Sequence, residues 1–208
     1  EVGAGLGLAG LAAAASGASH VHITDFDSAV VANIERNIEA NSEECAEATV
    51  LEARLLDFRW YDKGASSQSS QQGRARHKDL VGQVDLVIGS ECVYYEGCSA
   101  IAATLLAMLA PGGRAIFMMA STRAGLKAFC DAIDEAGLVS DTQPVDGCLI
   151  ERARESREEL AVVNDTLVVF HVARSKEPPL EPPPRGAGEP NGSGAAAAAA
   201  LGTAGAVS

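Results

Sequence analysis

The chain has 208 residues, with 16 Lys and Arg against 28 Asp and Glu for a net charge of -12, and is 47% apolar but only 4% aromatic. At roughly 150 residues per domain, this length points to one domain with an appended tail, its core built mostly from Leu, Ile, Val and Ala. The acidic balance opposes broad binding to nucleic-acid phosphates and would attract a basic protein or peptide, and no run of about eighteen apolar residues free of Gly and charge is present to span a membrane.

In chain order, a glycine-rich loop opens at Glu1 and runs into an alanine-rich helix over residues 8–15 that ends near Gly17. Glu1, in place of Met, stands directly before that loop, so the chain is expected to begin inside a structural element, with any targeting peptide upstream. Residues 21–24 predict a short strand, 28–41 a helix capped by Asp27 or Ser28, and 49–56 a second strand. Residues 63–83 are polar and Gly/Ser/Gln-rich, the composition of a surface loop insertion. A buried strand at 85–89 follows, then a helix at 100–109 stopped by Pro111-Gly112-Gly113, a strand at 115–120, and a helix at 123–136 ended by Gly137. Residues 138–145 and 166–173 pattern as a long antiparallel hairpin. From Ser175 to the end, Pro, Gly and Ala dominate, too poor in large apolar groups to offset ordering entropy, so 175–208 is expected to be a disordered tail after a domain over 1–174.

Strand and helix alternating four or five times imply an α/β, doubly wound, mostly parallel sheet covered on both faces. Ligands of such sheets lie outside the carboxyl ends of the strands, which here puts the site on the loops after Glu1, Thr24, Leu56 and Gly89. Cys45, Cys92, Cys98, Cys130 and Cys148 are odd in number, widely spaced and without a C-x-x-C pair, a pattern of reduced intracellular thiols and not of a disulfide frame or zinc site. That suits a cytoplasmic or nuclear setting. His20, His22, His77 and His171 show no ligand spacing, so no metal is expected.

The opening E-V-G-A-G-L-G-L-A-G places Gly3, Gly5, Gly7 and Gly10 at the start of a helix whose first N–H groups lack partners, an arrangement that brings backbone close to a small molecule. Gly5-x-Gly7-x-x-Gly10 also matches the dinucleotide fingerprint, with Asp25 after the next strand to meet ribose hydroxyls. Two features favour S-adenosylmethionine over a nicotinamide cofactor. Glu1, two places before Gly3, would repel a pyrophosphate but meet a cationic methionine end directly or through the loop. No Tyr-x-x-x-Lys follows Tyr61, Tyr94 or Tyr95, so the proton-relay pair of short-chain dehydrogenases is missing.

E-V-G-A-G-L-G-L-A-G-L-A-A-A, V-H-I-T-D-F-D, N-I-E-A-N and V-D-L-V-I-G-S-E-C-V-Y-Y together resemble the class I, seven-stranded methyltransferases, and within them the family 16 protein-lysine methyltransferases. The resemblance spans residues 1–173. It implies that Glu1, Gly3, Ala4, Gly5, Asp25 and, at the end of its strand, Ser90 bind S-adenosylmethionine, and that Asp57 or Trp60 lies beside the adenine. It also implies that Glu91-Cys92-Val93-Tyr94 stands for the group's acidic-x-x-aromatic signature, with Glu91 and Tyr94 as catalytic residues.

Methyl transfer from a sulfonium is an in-line displacement, so the site mainly desolvates and aligns a neutral amine about 3 Å from the methyl carbon. A carboxylate such as Glu91 can orient an incoming lysine ammonium and help it lose a proton, while the Tyr94 ring packs on the lysine stem or caps the cation. The bland alternatives are a strand-end carboxylate capping a helix for Glu91, packing for Tyr94 and a core role for Trp60. The chain departs from the family where Tyr61 follows Trp60 in place of the usual Trp-Gly pair, and it lacks the apolar residues expected to precede Glu1. Nucleic-acid amino methyltransferases carry a proline-containing motif where Ser90-Glu91-Cys92-Val93 stands, which favours a protein substrate. The rival readings are a non-catalytic partner-binding module with this fold and a nicotinamide-dependent oxidoreductase.

Overall fold

The structure, a computed structural model, describes residues 1–45, 49–94, 96–155 and 167–174. The elements in chain order are α1 (Leu8–Ala15), β1 (His20–Asp25), α2 (Ser28–Ala40), β2 (Val50–Leu55), α3 (Gln68–Arg76), β3 (Val84–Ser90), α4 (Cys98–Met108), β4 (Leu109–Ala120), α5 (Leu126–Glu135), β5 (Val139–Pro144), α6 (Gly147–Glu155) and β6 (Leu167–Ala173), with 3-10 turns at Ser42–Glu44 and Phe58–Trp60. Contacts divide the described chain into two compact units, Glu1–Leu56 and the residues from Asp57 onward.

In the first unit β1 and β2 run parallel, with His20 opposite Val50 and Asp25 opposite Leu55. Val2 adds a single parallel bridge to Thr24, secured by Ala4 N–H donating to the Thr24 carbonyl at 3.0 Å and Thr24 N–H to the Glu1 carbonyl at 2.9 Å. Helix α1 packs Leu11 and Ala14 against Val21 and Ile23 of β1, and Ile34 of α2 completes this buried cluster. Of the two predicted caps for α2, Asp27 serves: its carboxylate accepts from Ala29 N–H at 2.8 Å. The approach of α1 to β1 depends on Gly10, where a Cβ would stand 2.5 Å from Ile23 Cγ1.

In the second unit the strand order is β3-β4-β6-β5, parallel between β3 and β4 and antiparallel for the other two pairs. The predicted C-terminal hairpin is present as β5 and β6, with Val139 opposite Ala173. Its core is a run of edge-to-face aromatic contacts, Phe117 to Phe129 at 5.3 Å and Phe129 to Phe170 at 6.1 Å between ring centroids, all three rings fully buried. Three of the five phenylalanines thus meet where β4, α5 and β6 come together.

Several sequence expectations need correction. The fold is α/β with helices alternating with strands, but the described strands form a parallel pair and a four-stranded mixed sheet where one seven-stranded, mostly parallel sheet was expected. Residues 63–83 are not a bare loop: they hold α3, whose start is capped by the Ser67 hydroxyl accepting from Ser70 N–H at 3.2 Å. That helix has no apolar stripe to read, because it docks through the backbone face at Gly73, against which the Trp60 ring lies so closely that a Cβ would meet it at 2.1 Å. Strand β3 is not buried throughout: alternate residues Val87 and Gly89 face inward while Leu86 on the other face is 41% exposed. The hairpin connection carries α6, opened by Asp146 accepting from Cys148 N–H at 2.9 Å. None of the five cysteines is in a disulfide. The expected tail at 175–208 lies outside the described residues.

Phe129→Ala removes the ring that links the other two and should lower the unfolding free energy by about 3–5 kcal/mol in urea denaturation. A loss below about 1 kcal/mol would mean that the aromatic run is not the centre of this core. In the first unit, Gly10→Ala should cost about 1–3 kcal/mol through overlap with Ile23. Gly5→Ala should cost about 1 kcal/mol from backbone conformation alone, since φ there is 55° and a Cβ would meet nothing within 4 Å.

Candidate active site

The glycine loop and the end of β1 are built as one piece. Gly3, Gly5 and Gly7 all have positive φ, at 59°, 55° and 80°, so the backbone reverses hand repeatedly before α1 begins. Asp25 at the end of β1 is buried and holds this loop: one carboxylate oxygen accepts from Gly5 N–H at 3.1 Å and the other from Asp27 N–H at 3.2 Å. Glu1 accepts from Gly10 N–H at 2.8 Å in the first turn of α1, where a carboxylate also complements the helix dipole. Burial pushes the Glu1 carboxyl above its ordinary range, and the Gly10 N–H opposes that shift. The Glu1 side chain thus holds the first turn of α1. Glu1, Gly3, Ala4, Gly5 and Asp25 are thus brought together, with Gly5 exposed at the crest.

The second group of expected residues follows β3. Ser90 is the exposed last residue of the strand, and Glu91 begins a turn with φ 52°, the only non-glycine residue with positive φ among the described residues. Holding a residue other than glycine there costs about 1–3 kcal/mol. Cys92 and Val93 are buried, while Tyr94 is 63% exposed. The Glu91 carboxylate accepts from Ala120 N–H at 2.7 Å and forms an ion pair with Arg123. Arg123 also donates from Nη2 to the Glu91 carbonyl and from Nε to the Val93 carbonyl, each at 2.6 Å, and its guanidinium carbon lies 4.6 Å from the centre of the Tyr94 ring. The Cys98 thiol donates to the Tyr94 carbonyl at 3.1 Å, and burial raises its pKa, keeping it protonated.

Asp57 and Trp60 lie at a 3-10 turn. Asp57 caps it by accepting from Arg59 N–H at 2.9 Å and pairs with the exposed Arg59 guanidinium, whose hydrogen bonds hold the Asp57 carboxyl below the usual carboxylate range. Trp60 packs on Gly73 of α3 and stacks with buried His77, ring centroids 5.9 Å apart. The Arg74 guanidinium donates from Nε to the Trp60 carbonyl at 2.5 Å, tying the turn to α3.

Three contributors were missed from sequence. Arg123 lies about thirty positions beyond the signature it binds, and nothing in its local pattern marks it. Asn37 donates to the Leu6 carbonyl at 2.9 Å, fastening α2 to the glycine loop, and Thr24 donates its hydroxyl to the Glu1 carbonyl at 2.8 Å. Asn37 opens the N-I-E-A-N segment already noted as characteristic, which was the available signal.

Comparison with known proteins bears on the family and the fold. A family model described as lysine methyltransferase, methyltransferase family 16, matches residues 1–136. A calmodulin-lysine N-methyltransferase of Arabidopsis thaliana is 30% identical over 142 residues, which is 66% of this chain and 42% of that protein; the chain thus spans less than half of this relative's length. Among solved structures, an S-adenosylmethionine-dependent methyltransferase of Mesorhizobium loti aligns over 83% of this chain and 89% of its own, with a TM-score of 0.55 at 15% identity. Ribosomal protein L11 methylase of Lactobacillus delbrueckii aligns over 84% and 68%, with a TM-score of 0.51 at 17% identity. The two structures agree in a Rossmann-like α/β methyltransferase fold. With the family model covering well over half of its length, the chain belongs to the lysine methyltransferase family 16.

Proposed function

We propose that this chain is the S-adenosylmethionine-binding and catalytic part of a protein-lysine N-methyltransferase. The observation that carries the reading is the buried Asp25 carboxylate at the end of β1, bonded to the N–H of Gly5 at the crest of a left-handed glycine loop. Each oxygen of that carboxylate holds one backbone donor and keeps lone pairs for ribose hydroxyls, and nothing stands within 4 Å of the Cβ position of Gly5, so the loop offers open backbone to a ligand. These residues fit S-adenosylmethionine.

The cofactor supplies an electrophilic methyl group on a sulfonium. Glu1, Gly3, Ala4 and Gly5 would bind its methionine end, Asp25 its ribose, and Asp57 or Trp60 its adenine side. Ser90 would border the site at the end of β3. Glu91 keeps lone pairs beyond its bonds to Ala120 and Arg123, enough to orient a lysine ammonium while it sheds its proton to water. One face of the Tyr94 ring is against Arg123, and the exposed ring can pack on the lysine stem and help exclude water from the reacting amine. Calmodulin, for which the Arabidopsis relative is named, is the first protein to offer as acceptor. One observation favours a non-catalytic partner-binding module instead: the Glu91 carboxylate is already engaged by Arg123.

Titration calorimetry and a labelled-methyl assay on the full-length protein separate these readings. Micromolar binding of S-adenosylmethionine is expected, and Asp25→Ala should weaken it by about 1.5–3 kcal/mol, the value of charge-assisted hydrogen bonds. Unchanged affinity would remove Asp25 from the site. Glu91→Gln and Tyr94→Ala should each keep cofactor affinity and lower transfer, at least one of them by about 100-fold. Full transfer by both variants would exclude the assigned catalytic pair, and cofactor binding with no transfer to calmodulin or to any protein in a cell extract would favour the non-catalytic module.

A further inference from the structure

We infer that Arg123 is a positioning residue of the transfer site: its planar guanidinium clamps the turn over residues 91–94 in the one backbone form that presents Glu91 and Tyr94 together. The inference deepens the methyltransferase reading and rests on it. Glu91 holds a left-handed backbone that no glycine provides, so something outside the turn must keep it there. Arg123 contacts the turn at four points. Nη1 meets the Glu91 carboxylate, Nη2 the Glu91 carbonyl, Nε the Val93 carbonyl, and the guanidinium plane the Tyr94 ring.

The placement of the fork is itself secured. Arg123 N–H donates to the Ala120 carbonyl at 3.0 Å and its own carbonyl accepts from Leu126 N–H at 3.2 Å, so the residue is fixed between the end of β4 and the start of α5. Glu91 in turn receives the Ala120 N–H on its other carboxylate oxygen. The two turns, after β3 and after β4, therefore lock each other through one carboxylate and one guanidinium, and the Arg123 side chain is only 19% exposed. A lysine at this position would keep the charge, but its single ammonium cannot address two carbonyls, a carboxylate and a ring face at once. The geometry of the fork, more than its charge, is what the site uses.

The test compares the full-length wild type with Arg123→Lys and Arg123→Ala, using calmodulin, or a protein of a cell extract that the wild type labels, as the methyl acceptor. Both variants should bind S-adenosylmethionine within about twofold of wild type and lose about 100-fold in kcat, the scale for a reacting group displaced by about 1 Å. Amide hydrogen exchange at Glu91 and Ala120 should accelerate at least about tenfold in both, with the rest of the sheet unchanged. Should Arg123→Ala fail to fold, Arg123→Lys carries the test. Recovery of kcat in Arg123→Lys would overturn the clamp in favour of charge alone, and so would unchanged exchange at Glu91 and Ala120. A wild type that binds the cofactor yet labels no protein would instead defeat the enzymatic reading, and the positioning role with it, while the exchange data still decide whether the clamp exists.

Discussion

The missing side chain at Gly10 lets α1 lie directly on β1, with no room for a Cβ between the helix and Ile23. Because the helix sits so low, the loop ahead of it must turn sharply, and it does so through successive glycines in the left-handed region. The same approach brings Gly10 N–H to Glu1 and Gly5 N–H to Asp25, so two acidic side chains become the supports of a backbone that would otherwise expose unpaired donors. Asn37 bonds the Leu6 carbonyl to α2, and Thr24 bonds the Glu1 carbonyl to β1. These bonds fix the loop from both sides, by α2 and by β1.

The turn after β3 solves a different problem. It carries a carboxylate residue, Glu91, in a backbone form suited to glycine. Arg123 resolves the conflict by bonding to the carbonyls as well as to the carboxylate, while the Cys98 thiol takes the Tyr94 carbonyl at the far end of the turn. The Glu91–Arg123 pair is half-exposed on the carboxylate side, so its worth lies less in net Coulomb energy than in the geometry it imposes. Strain at this turn and low helix packing at the glycine loop are thus local departures from ordinary backbone preference, each held by a charged side chain on a neighbouring segment.

Much of this was legible from sequence because it depends on local pattern. The glycine spacing, the acid after β1, the cap at Asp27, the helix over Leu8–Ala15 and the C-terminal hairpin all follow from turn chemistry or residue periodicity within a few positions. Helix α3 was not legible because it buries a backbone face at Gly73 and not an apolar stripe, and β3 looked fully buried because its apolar run hides which alternate residues face inward. Trp60 could be placed beside a ligand or in packing on sequence grounds; its stacking with His77 and seat on α3 appear only when residues seventeen and thirteen positions away are folded back upon it.

The sequence by itself determined the α/β alternation and the glycine loop with its two acids, since each is a matter of spacing along one stretch of chain, and its resemblance to a family marked Glu91-Cys92-Val93-Tyr94. Only the tertiary structure decided how the strands divide between a parallel pair and a mixed four-stranded sheet, and that Glu91 stands opposite Arg123. Pairing between segments some thirty residues apart is set by which turns the sheet brings side by side, and no local periodicity records that neighbourhood.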